Sequence, residues 1–343
     1  MPEKTFEYRA YSGRKTALLI IGIAVCLLNF VLDIIIGSSS IPLGDVLNAL
    51  FRPGTADALT KTIAWNLRLP TAMMGLLVGA ALGLSGATMQ TILNNPLASP
   101  YTLGISAGAG VGASIAMLTG LGSLAVFGSF MVPVSAFLFA LLACMGIYFI
   151  SRLKSFTSEI MVLTGIGMVF FFQAVQSFMQ YLASPEALQA IVFWTFGSLT
   201  KANWTNIPIL AVALVVMFCL IYSRSWQLTA MKLGDEKAKV LGVDVEHLRM
   251  LMFVFISLLT ATAVAFVGSI GFIGIVGPHI ARILVGEDQR YYLPMSAVCG
   301  AAILTLASVA TKVVVPGAVF PIGILTSIIG VPFFFALIIR KKR

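Results

Sequence analysis

Charge is scarce in this sequence. Only 10% of its 343 residues are Asp, Glu, Lys or Arg, where a soluble domain carries about 25%. Such a chain cannot cover a water-facing surface. With 59% hydrophobic residues and a mean hydropathy of +1.00 it takes lipid as its solvent, so its length is counted in spans of about 20 apolar residues. Metal-ligating residues are sparse as well. Cys26, Cys144, Cys219 and Cys299 each sit in an apolar run without C-x-x-C spacing and read as small buried hydrophobes. His247 and His279 are far apart and lack a carboxylate cluster, which argues against a protein-built metal site. No G-x-x-x-x-G-K-[ST] phosphate loop occurs, so no nucleotide cofactor is expected on this chain. "GAGVGA" at 108–113 lies inside an apolar segment with no strand before it, and reads as helix packing.

What is present is a series of apolar runs. The first, "ALLIIGIAVCLLNFVLDIII", is too long for a signal-peptide core, lacks an A-x-A site and is read as an uncleaved span. Further runs fall at 63–92, 99–118, 125–150, 159–182, 205–223, 248–268, 272–285, 293–313 and 320–339. The expectation is an all-α polytopic membrane protein of about ten transmembrane helices, the eighth too short for an ordinary tilted span. Residues 1–16 read as a cytoplasmic tail, 17–340 as one transmembrane domain with a cytoplasmic loop at 224–248, and 341–343 as a basic C-tail. An even number of spans puts both termini on one side. That side then holds seventeen of the 22 Lys and Arg residues, and the other holds only Arg52, Lys61, Arg68, Lys201 and Lys312. This is the positive-inside imbalance. The net charge of +9 thus reports topology and requires no nucleic-acid partner.

Gly75, Gly79, Gly83 and Gly86 lie on one stripe of the second span, and Gly104, Gly108 and Gly112 repeat the pattern in the third. In lipid, helices associate through close backbone approach, which small-x-x-x-small stripes allow. The stripes either pack a tight bundle or line a path. Between these spans, "NNPLASP" carries Pro96 and Pro100, which stop the helix, while Asn94, Asn95 and Ser99 can satisfy freed backbone groups.

"MKLGDEKAKVLGVDVEHLR", Met231 to Arg249, is the one substantial amphipathic element outside the spans. Leu233, Ala238, Leu241 and Val245 form a candidate apolar stripe, and Gly242 divides the segment into two short helices. Such an element either docks into a partner's groove or lies on the membrane surface.

These residues together resemble the FecCD-type permeases of ABC importers for iron–siderophores, haem and vitamin B12. The correspondence runs from "NLRLPTAMMGLLVGAALGLSGATMQTILNNPLASPYTLGISAGAGVGA" through "FWTFGSLTKANW" and "LGDEKAKVLGVDVEHLR" to "GSIGFIGIVGPHIARILVGEDQRYYLP" and "FPIGILTSIIGVPFFFALIIRKK". The resemblance implies the type II ABC importer architecture, with a second permease copy or paralogue around a central path. It also implies two cytoplasmic ATPase subunits carrying ATP and Mg, and an extracytoplasmic binding protein. It assigns the loop to ATPase coupling through Leu233, Gly234, Leu241, Gly242 and Val243, and it assigns Arg68 and Lys312 to binding-protein docking. Interfacial snorkelling is the plainer reading of those two cations. Gln90, Asn95, Pro96, Pro278 and His279 join the glycines as helix-packing or pathway positions. Thr71, Ser308 and Val319 replace charged residues usual in the family, which points to a docking code of its own.

An ion-coupled secondary transporter would keep ionisable residues at mid-membrane, whereas Asp33 and Glu159 fall near span ends. An intramembrane enzyme would need a catalytic constellation, and His279 has no evident partner. The cargo expected from the resemblance is a ferric siderophore, with haem or a corrinoid as alternatives. It would follow a path of small and apolar residues across the cytoplasmic (inner) membrane.

Overall fold

In lipid every backbone polar group needs an internal partner, so apolar runs of this length can only become helices. The computed structural model describes residues 2–37, 41–120, 128–154, 156–314 and 320–340. Fifteen α-helices are seen among them. In chain order they are α1 (Pro2–Ile35), α2 (Leu43–Phe51), α3 (Ala58–Thr62), α4 (Leu69–Ile92), α5 (Ile105–Leu118), α6 (Gly128–Arg152), α7 (Ser158–Leu182) and α8 (Pro185–Thr195). They continue as α9 (Asn206–Tyr222), α10 (Ser225–Met231), α11 (Asp235–Val240), α12 (Val245–Val267), α13 (Ile273–Val285), α14 (Gln289–Val314) and α15 (Ile322–Arg340). A π-helical stretch, Ile63–Arg68, joins α3 to α4. The expected basic tail 341–343 and Val319 lie outside the described residues. The first sixteen residues, read as a tail, largely continue α1 as helix.

Six helical segments are long and apolar enough to cross a membrane, and three shorter apolar helices, α5, α13 and the first part of α15, stand with them. The tenth element is α9, from which α10 departs at 62°. The arrangement is compatible with ten spans. Two are short instead of one, since α5 has 14 residues and α13 has 13. At 1.5 Å per residue each covers only about 20 Å.

Local chemistry marks the ends. Thr157, Ser184 and Asp244 accept backbone N–H bonds at the starts of α7, α8 and α12. Asn95 Oδ1 accepts from Leu97 N at 2.9 Å, and Ser99 and Thr102 exchange bonds, so Asn95 and Ser99 satisfy backbone groups after α4, while Asn94 turns the chain with φ of 45°.

The helix at the centre is α4, packed against α14, α13, α12 and α9, while α5 packs on α6 and α7. The glycine stripes explain these pairings. A Cβ on Gly79 would sit 2.5 Å from Gly300 O and 2.7 Å from Ala301 Cα. On Gly83 it would strike Ser296 O, and on Gly86 it would strike Gly274 O. One on Gly108 would lie 2.7 Å from Phe139 O, and Gly112 is closed in by Ser135 O. Between packing and lining, these five positions pack. Gly75 differs, because its nearest neighbours would be at 3.4 and 3.5 Å, ordinary contact. Gly104 serves the backbone, with φ of 85° just before α5.

Candidate functional site

Two polar assemblies stand out in this apolar bundle, one at each end. The first gathers the ends of α4 and α13, the starts of α12 and α14, and the α10–α11 hairpin. Gly234, with φ of 95°, separates α10 from α11, and Gly242, with φ of 82°, ends α11. Within Met231–Arg249 Gly242 does separate two helical pieces, but the second is the start of the long α12 and not a short helix, and a further break at Gly234 sets α10 apart from α11. The apolar stripe expected through Leu233, Ala238, Leu241 and Val245 also splits, because a left-handed glycine interrupts the helical period. Ala238, Val243 and Val245 are buried against the bundle. Leu233, Val240 and Leu241 face outward, with Val240 88% exposed.

Beneath the hairpin lies a hydrogen-bonded network. Pro278 has no N–H, so it leaves Gly274 O of its own helix without the usual donor. Gln90 Nε2 approaches that oxygen at 3.4 Å. The Gln90 Oε1 accepts from Arg282 Nη2 at 2.8 Å and from Tyr292 OH at 3.1 Å. Arg282 also pairs with Glu287 at 3.1 Å, and Glu287 with Lys232 at 3.2 Å. In the same loop the Arg290 guanidinium, hydrogen-bonded to Asp288, holds that carboxyl below its ordinary range. Arg249, only 2% exposed, donates to Ile92 O, to Phe156 O and to both carboxylate oxygens of Asp235. Of the positions that stood out in the sequence as packing or pathway residues, Gln90 and Pro278 belong to this network, and Asn95, Pro96 and His279 lie apart from it. Pro96 belongs to the turn after α4, and His279 lies edge-on to Phe333 at 5.9 Å, joining α13 to α15.

At the opposite end, Asp33 is fully buried and pairs with Lys312 Nζ at 2.8 Å, while Ser308 Oγ donates to it at 3.0 Å. Arg68, 5% exposed, donates to the backbone oxygens of Ile34 and Ile35. Arg68 and Lys312, expected as outward docking residues or as cations snorkelling to the interface, are instead buried. Both are drawn into the bundle, where an unpaired charge is too costly and each finds acceptors on α1. They line a cavity of about 330 Å³ together with Thr71, Ser198, Thr200 and Phe320. Arg52, Lys61 and Lys201 are the exposed cations among the five that the sequence placed on this side.

A match to the model of the FecCD transport family covers residues 23–340. The chain belongs to the FecCD transport family. This family consists of transport permeases, not enzymes. Among its relatives, the Fe(3+)-citrate import system permease YfmE of Bacillus subtilis is 36% identical over 84% of this chain and 85% of its own. The hemin transport system permease HmuU of Yersinia pestis is 36% identical over 85% of this chain and 87% of its own. Others are named for cobalamin, in Halobacterium salinarum, and for molybdate, in Haemophilus influenzae. A solved inward-facing metal-chelate type ABC transporter superposes with a TM-score of 0.83 at 30% identity, covering 95% of this chain and 99% of that one. FecCD membership and the apolar helices make this a multi-pass membrane protein with an ABC permease fold.

Proposed function

We propose that this chain is the membrane subunit of an ATP-driven importer that carries an iron chelate, a ferric siderophore, inward across the cytoplasmic membrane. The observation that carries the reading is the α10–α11 hairpin. Its outward Leu233, Val240 and Leu241 are exposed side by side with Glu236 and Lys237, a face suited to a soluble partner's groove. A separate cytoplasmic ATPase is that partner, and it supplies the phosphate loop that this sequence lacks. The orientation follows from charge. Ser12 bonds Tyr291, Arg249 reaches Phe156, and Lys232 reaches Glu287, contacts that join these basic segments in pairs and support reading their end as the cytoplasmic one. A second copy or paralogue would complete the path. A binding protein would dock on the opposite face, where Arg52, Lys61 and Lys201 are exposed and Arg68 and Lys312 lie behind them in the cavity.

Relatives named for ferric citrate and hemin support an iron chelate as the cargo, while relatives named for cobalamin and molybdate match comparable shares of the chain and set the competing outcomes of the test. The test is uptake of iron-55 as a panel of ferric siderophores, as citrate and as haem, in cells with and without the gene, alongside labelled cobalamin and molybdate. Loss of siderophore uptake alone is the expected result. Loss of cobalamin or molybdate uptake with iron uptake intact would overturn the cargo, and unchanged uptake of every compound would overturn the import reading.

A further inference from the structure

The turn between α10 and α11 carries a positive and a negative charge on either side of Gly234, and each meets a receptor of opposite sign in the bundle. Lys232, before the turn, reaches Glu287, which Arg282 holds from behind. Arg282 then donates to Gln90 at 2.8 Å. Asp235, after the turn, takes both of its bonds from Arg249 Nη2 at 2.8 Å. Arg249 spends its remaining donors on Ile92 O at 2.8 Å and Phe156 O at 3.1 Å. The two routes leave the turn in opposite directions and converge on the last turn of α4, at Gln90 and Ile92.

We propose that Arg249 and Arg282 are positioning residues that fasten the ATPase-facing turn to the end of α4, so that displacement of the turn is delivered to α4 at two points. A planar guanidinium held by several bonds fixes direction as well as distance, which a lysine ammonium does not. Opposite signs at the two anchors also prevent the turn from seating reversed, since each reversed contact would place like charges together. Past the anchors α4 cannot slip along its neighbours. The Gly79, Gly83 and Gly86 contacts lock its backbone to α14 and α13, and close-packed seams transmit displacement instead of absorbing it. The linkage deepens the import reading and rests on it.

Spatial continuity is not yet energetic coupling, and double-mutant cycles supply that measurement. The variants are Arg249→Lys, Asp235→Asn, Asp235→Glu, Glu287→Gln and the double Asp235→Asn with Glu287→Gln. Asp235 and Glu287 have side chains 42% and 49% exposed, and Asn and Gln each keep an oxygen that can accept from the arginine. These are therefore milder changes than Arg249→Lys, and thermal unfolding of each variant separates a folding defect from a loss of linkage. The permease is reconstituted in proteoliposomes with its ATPase and supplied with binding protein and iron-loaded siderophore. Chelate imported per ATP hydrolysed is read beside ATPase co-purification.

Asp235→Asn and Glu287→Gln should each keep the ATPase bound and hydrolysing, while import per ATP falls about fivefold, with a larger loss in the double variant. Asp235→Glu should recover part of the ratio, which a defect of folding alone would not predict. A wild-type complex that is coupled, with single and double variants coupled equally well, overturns the linkage and leaves the import reading standing. A wild-type chain that binds no ATPase and imports nothing overturns both.

Discussion

Replacing Gly79 by alanine isolates what one methyl group does to the central seam. The added Cβ would lie 2.5 Å from Gly300 O, 2.8 Å from Gly300 C and 2.7 Å from Ala301 Cα. Even a weak C–H···O contact needs about 3.3–3.6 Å, so α4 and α14 must part by roughly 1 Å. All three atoms are backbone, so no rotamer change relieves the clash. Overpacking of this kind costs about 1–3 kcal/mol, and the better helix propensity of alanine returns up to about 1 kcal/mol. At Gly75 the same methyl meets Leu199 Cδ1 at 3.4 Å and Thr305 Cγ2 at 3.5 Å, so only the gain remains. The two variants change the same residue type on the same stripe of one helix, one turn apart. In detergent, thermal unfolding followed by size-exclusion chromatography should show Gly79→Ala melting below the parent and Gly75→Ala at or above it. Equal melting temperatures for the two would refute the backbone-contact account of the stripe.

Further outcomes follow from the two polar ends. Leu241→Asp, on the outward face of the hairpin, should abolish ATPase co-purification without lowering the melting temperature; retained co-purification at parental yield would count against that face. Gly242→Pro demands φ near about −65° where the chain has 82° and removes the N–H bonded to Lys239 O; import per ATP should drop, and unchanged import would show that the turn is not used. Lys312→Met leaves the buried Asp33 carboxylate uncompensated, at a cost of about 3–5 kcal/mol, and adding Asp33→Asn should restore most of it; a double variant no more stable than the single would argue against the ion pair. Gln90→Leu strands Gly274 O and removes the acceptor of Arg282 and Tyr292, so it should destabilise by about 1–3 kcal/mol, more than Gln90→Glu in the same melt.

Much of the fold was legible because lipid leaves few options. Apolar runs gave the spans, and the lysine and arginine distribution fits the grouping of their ends, with Ser12, Phe156, Lys232 and Tyr291 drawn together. The four-residue glycine spacing pointed to close helix pairs, although spacing cannot distinguish Gly75, which meets only side chains, from Gly79, which meets backbone. The hairpin was legible as an element but not in its register. Helical periodicity was carried across Gly234, where the backbone leaves the right-handed region and the phase is lost. Arg249 and Arg282 were read as counts in a charge tally and Lys312 as an outward docking cation, because groups that bury them come from other helices. Ile92 O and Phe156 O, which accept from Arg249, and Asp33 O, which accepts from Lys312, are backbone atoms, which no residue pattern advertises.

The same cause explains why Gly86, Gln90 and Pro278 look unrelated along the chain and form one unit in space. Proline in a span frees a carbonyl, and in hydrocarbon that oxygen requires a donor. A donor on a neighbouring helix can reach it only if the two backbones are close, which a side chain at position 86 would prevent. Gly86 therefore admits the Gly274 carbonyl to the face of α4, and Gln90, one turn further on, brings its amide to it. The other end of that amide collects Arg282 and Tyr292, so a backbone defect in α13 becomes the centre of the network beneath the hairpin. A proline that only shaped a short span would have needed any donor. This one is met by a side chain that also accepts from the arginine behind Glu287, and that shared acceptor ties the irregularity in α13 to the turn between α10 and α11.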